Sequence, residues 1–60
     1  MTTSEARVLI DSLVLTAADL RDLATDDAAP LHLSLAAERH INAVNEAARE
    51  LAAVFGVSMP

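Results

Sequence analysis

The stretch ATDDAAP, residues 24–30, is the one strong break in this chain, and it divides two segments whose apolar residues recur every three or four positions. That arrangement leaves few topologies open. Threonine and aspartate favour caps and turns, and a proline such as Pro30 suits the first turn of a new helix. Before the break, Ala6, Leu9, Leu13, Thr16, Leu20 and Leu23 alternate as the seam of a heptad pattern. Ile10, Ala17 and Ala24 widen that seam to the face of a bundle helix. Thr2 and Glu5 have the spacing of a capping box, so helix 1 is expected over about residues 4–24.

After a turn at about 25–29, Ala37, Ile41, Val44, Ala48, Leu51 and Phe55 keep a 4-3-4-3-4 spacing up to Gly56. Glycine fits the left-handed residue that ends a helix, and Val57 stands where it can fold back in a Schellman closure. Helix 2 is therefore expected over about 30–55. PLHLSL, residues 30–35, also alternates as a strand does, so a later start capped by Ser34 stays open. Two helices joined by a short turn lie antiparallel. The expected fold is all-α: one domain over residues 1–60, a two-helix antiparallel hairpin. Capping signals stand near both ends and a methionine opens the sequence, so the chain reads as complete.

Helix 2 is apolar on more sides than a hairpin can cover. Beside its first stripe runs a second one of Ala36, His40, Ala43, Ala47 and Val54. Sixty residues are near the size at which burial barely offsets chain entropy. Hydrophobic residues make up 53% of the chain, but 13 of them are alanines, which favour helix and bury little area. With no cysteine, no disulfide or thiolate–metal site supplements the core. The missing burial is expected from a second copy: a homodimer or higher homo-oligomer in which paired hairpins form a four-helix bundle. Val8 and Leu15, one heptad apart on the polar back of helix 1, are assigned to the same oligomer interface. His40 on that contact would make assembly pH-sensitive, since protonation at a partly buried contact disfavours it. The competing reading leaves the alanines on the surface as good helix formers.

In outline the chain resembles the small homodimeric helical hairpins typified by the Rop-type RNA-binding protein of plasmids. The resemblance is one of shape and carries over no functional residue. RNA binding of that type needs a basic helix face, and Arg7, Arg21, Arg39 and Arg49 do not make one.

Little else in the sequence carries chemistry. His32 and His40 have no ligand-type residue three or four positions away, so no metal or other cofactor is expected. The serines have no histidine and acid beside them in sequence, and the single glycine rules out a phosphate-cradling loop. Asn45, near the core stripe, is a candidate for setting register across a bundle, or a rim residue bonded to water. Asp19, Asp22, Asp26 and Asp27 gather at one end. They read either as caps for the start of helix 2 or as an acidic surface for a basic partner. A net charge of −5 without a basic stripe argues against direct binding to nucleic acid or anionic membranes. No secretory signal is legible, and no apolar run nears the ~20 residues of a membrane span, so a cytoplasmic location is expected.

The functional expectation is a non-enzymatic protein–protein interaction module, a regulator, adaptor or small subunit that self-associates. The alternative is an acidic inhibitor or decoy, or an antitoxin-like regulator, of a nucleic-acid-binding protein.

Overall fold

The computed structural model describes residues 1–59. Two helices, α1 (Thr3–Ala24) and α2 (Leu31–Phe55), pack side by side in opposite directions. They form a rod measuring 39 × 17 × 14 Å.

Local chemistry sets each helix end. At the start of α1 the Glu5 amide donates to the Thr2 hydroxyl at 3.1 Å, and the Thr2 amide donates back to the Glu5 carboxylate at 3.2 Å. This reciprocal box satisfies two of the donors that a helix start leaves free. At the other end, the Thr25 amide and hydroxyl both donate to the Arg21 carbonyl, at 3.1 and 3.0 Å. The Asp26 amide then donates to the Leu23 carbonyl at 3.3 Å. The Asp26 carboxylate accepts from the Ala28 amide at 2.9 Å, a local bond that bends the chain towards Pro30.

Pro30 opens α2, and its carbonyl accepts from the Leu33 and Ser34 amides. Residues 31–35 are therefore helical, and their alternation has another cause: Leu31, Leu33 and Leu35 remain 73%, 43% and 49% exposed. Ser34 is no cap. Its hydroxyl donates across the hairpin to the Leu23 carbonyl at 3.1 Å, giving the acceptor that already takes the Asp26 amide a second donor from the other helix. At the far end Gly56 adopts φ 65°, ψ 31°, and the Val57 amide turns back to the Ala52 carbonyl at 2.9 Å. Val57 is thereby buried.

The core is thin. Ala6, Ala17, Ala37, Ala48 and Ala52 are buried along the contact between the helices, and among the described residues Ile10 is the only large side chain wholly removed from solvent. Ile10, Ala48, Ala52 and Val57 form one cluster, with Leu13, Val14, Leu51 and Phe55 packed around it. Alanine at the contact line lets the helix axes approach closely, which pushes the larger side chains to the flanks. The buried line of α1 therefore runs through Ala6, Ile10 and Ala17. Leu9 and Thr16, which the heptad reading puts at the seam, are turned towards solvent. Ala52 belongs to neither expected stripe of helix 2 and is buried.

Candidate functional site

The two broad faces of this rod differ in character, and the reason is geometric. On a helix, the residue before a buried position lies about 100° to one side of it, and the residue after lies about 100° to the other. In an antiparallel pair the preceding sides of both helices fall on the same face. On α1 the residues preceding Ala6, Ile10 and Ala17 are Glu5, Leu9 and Thr16; on α2 those preceding Ala37, Ala48 and Ala52 are Ala36, Ala47 and Leu51. The residues that follow are Arg7, Asp11 and Ala18, and Glu38, Arg49 and Ala53. Apart from Glu5 in the first turn of α1, one face is therefore uncharged and largely apolar across both helices, and the other carries charge.

Register is anchored by the Ser34–Leu23 bond at one end and by Ile10 against Ala48 and Ala52 at the other. Stepping back from the open-end anchor at equal rise sets Leu9 level with Leu51, Leu13 with Ala47 and Thr16 with Val44, and the Ser34–Leu23 bond sets Leu20 between the levels of Ala37 and His40. The stripe Ala6–Leu9–Leu13–Thr16–Leu20–Leu23 lies between the hairpin contact and this apolar face. A second heptad stripe on α2, from Leu33 through His40 and Ala47 to Val54, runs alongside it. Leu9 is 37% exposed, Leu33 43% and Val54 77%, while Leu13, Leu20 and Leu23 are half-buried.

The second stripe of helix 2 lies on this face. Ala36 and Ala47 are half-buried by the hairpin, whereas His40, Ala43 and Val54 are exposed. Val8 and Leu15, 67% and 66% exposed, stand elsewhere. They project from the outer side of α1, nearly half a turn from its buried line and away from the α2 stripe. Sequence reasoning misses the contribution of α1: Leu9, Thr16, Leu20 and Leu23 extend the face. The heptad spacing carries their signal, but it does not tell this face from the contact within the hairpin.

Asp19, Asp22, Asp26 and Asp27 are all exposed, the first two on the outer side of α1 and the others in the turn. None gives α2 a side-chain cap. Asp26 instead holds the turn through Ala28. Asn45 is half-buried at the edge of the contact.

His32 lies in a shallow trough along the outer side of α2 with Leu35, Glu38, Arg39 and Asn42. All five come from one helix, so the trough has no opposing wall to enclose a ligand. Among the described residues, no three histidine or carboxylate side chains gather as a metal-binding group. No helix among them is long and apolar enough to cross a membrane. Compared with protein-family models, curated proteins and solved structures, the chain gives no match to any of the three.

Proposed function

We propose that this chain is a small, non-enzymatic protein–protein interaction module of the cytoplasm, a regulator, adaptor or small subunit. It acts as a self-associating hairpin that pairs into a four-helix bundle. The observation that carries this reading is the apolar face spanning both helices, with Leu9, Leu33 and Val54 open to solvent on it. A core of five alanines, Val57 and one isoleucine gives a hairpin of this length little stability of its own. Covering that face with a second hairpin would supply the missing burial.

Light scattering coupled to size exclusion tests the reading, with Ala43→Glu and Ala47→Glu as variants. Each puts an unpaired carboxylate into the proposed contact, so the parent's dimer mass should fall to that of a monomer. Variants that keep the parent's mass and thermal midpoint would overturn it.

A second reading rests on the four exposed aspartates near the turn, which leave α2 without a side-chain cap. In this reading they form the docking surface of an acidic decoy, or of an antitoxin-like regulator, for a basic nucleic-acid-binding protein. A lysate pull-down that recovers such proteins with the parent, and loses them with Asp26→Asn and Asp27→Asn, distinguishes it from self-association alone.

A further inference from the structure

Self-association leaves open which copy-to-copy arrangement the face accepts, and the following rests on that reading. We infer that a second copy of this chain docks on the apolar face with α2 antiparallel to α2, so that the two inter-helix turns lie at opposite ends of the bundle.

The size of the face favours an occupant as large as the hairpin itself. The chain exposes 4276 Å², against about 3,700 Å² for a compact monomer of its mass. The broad side of the molecule on which the face lies measures 39 × 17 Å, the scale of the ~800 Å² that each partner contributes to a stable interface. A second hairpin matches that length end to end.

Charge along the rim of α2 selects the orientation. Arg39 flanks the apolar stripe towards the turn, whereas Glu46 and Glu50 flank it towards the open end. A two-fold axis crossing α2 at Asn45 sets Arg39 of each copy within one residue of the level of Glu50 of the other. The same operation lays Ala43 against Ala47, and Ala36 against Val54, because these positions are spaced symmetrically about Asn45. On α1 it brings Leu9 level with Leu20 of the second copy. Such an isologous contact uses one patch twice and closes on itself. The opposite arrangement, with both turns at one end, would crowd Asp26 and Asp27 of the two copies together. It would also place the two His40 side chains in one layer.

Intermolecular distance decides between the arrangements. The chain has no cysteine, so Ala28→Cys in the exposed turn carries a single spin label. Pulsed electron resonance on the labelled protein should give a separation of about 45 Å, since an axis at Asn45 leaves about 21 Å of helix on each side before Leu31. Turns packed at one end would instead give less than about 20 Å, as two helix layers are only about 8–10 Å apart. A dimer with the short distance overturns this arrangement and leaves self-association standing. A monomeric mass overturns both. In the same assay, Thr16→Glu should lower the mass to that of a monomer while Leu15→Glu leaves it unchanged. The reverse pattern would put the contact on the outer side of α1 and refute the proposal.

Discussion

Ile10→Ala is the perturbation that best tests how this rod is held together. Ile10 is the one large side chain with no exposed surface, and it packs on Ala48, Ala52 and Val57. Two of its neighbours across the contact, Ala48 and Ala52, are alanines, which have no side-chain freedom to fill the void; Leu51 and Phe55 stand at its edge. Truncating a buried isoleucine to alanine costs about 2–5 kcal/mol, and the upper part of that range applies where the site cannot collapse. A 60-residue domain has roughly 3–9 kcal/mol of total stability, so one substitution removes a third or more of it. Urea unfolding followed by helical circular dichroism, at several protein concentrations, reads the loss. Ile10→Val, which removes one methylene, keeps the protein measurable and should cost about 1 kcal/mol. Leu15→Ala is the control: at 66% exposure it should shift stability by less than about 0.5 kcal/mol. If Ile10→Ala cost no more than Leu15→Ala at every concentration, the cluster at the open end would not be what holds the helices together.

Two further predictions concern the helix ends. Gly56→Ala should destabilise by about 1 kcal/mol through the left-handed backbone alone, because an added Cβ would meet nothing within 4 Å; a midpoint equal to or above the parent's would refute this account of the closure. Ser34→Ala removes the bond to the Leu23 carbonyl, worth about 1 kcal/mol, and regains up to about 0.5 kcal/mol in helix propensity. A small net loss is expected, and a clear gain in thermal midpoint would show that the cross-hairpin bond adds nothing.

Features that depend only on neighbours along the chain are legible in the sequence. The Thr2–Glu5 box, the turn at Asp26 and the Gly56 terminator each need only a few adjacent residues, and each stands where local chemistry puts it. The rotation of α1 about its axis is not legible in this way. A heptad series marks the direction in which apolar residues point on average, and that direction depends on how many helices surround the axis. The contact with one neighbour falls on Ile10 and Ala17, while the heptad series through Leu9 and Thr16 points between that neighbour and open solvent. The same ambiguity groups Val8 and Leu15 with the α2 stripe, since two exposed aliphatics carry no sign of which side of the rod they occupy. The role of Ser34 is hidden for a different reason: its partner lies eleven residues away, beyond any local capping rule. The aspartates are legible as charge but not in function, because Asp26 satisfies its own turn rather than the start of α2.

The tucked Val57 has a consequence for how the rod breathes. Its cluster ties residues near the beginning of the chain to residues near its end and concentrates the buried side chains there, enough to offset the entropic cost of closing so long a loop. The turn, by contrast, is held by short-range bonds and little buried area. Opening should therefore start at the turn and run towards the termini. Amide exchange would then be slowest around Ile10 and Ala52, leaving the middle of the sequence as the loose end of the molecule.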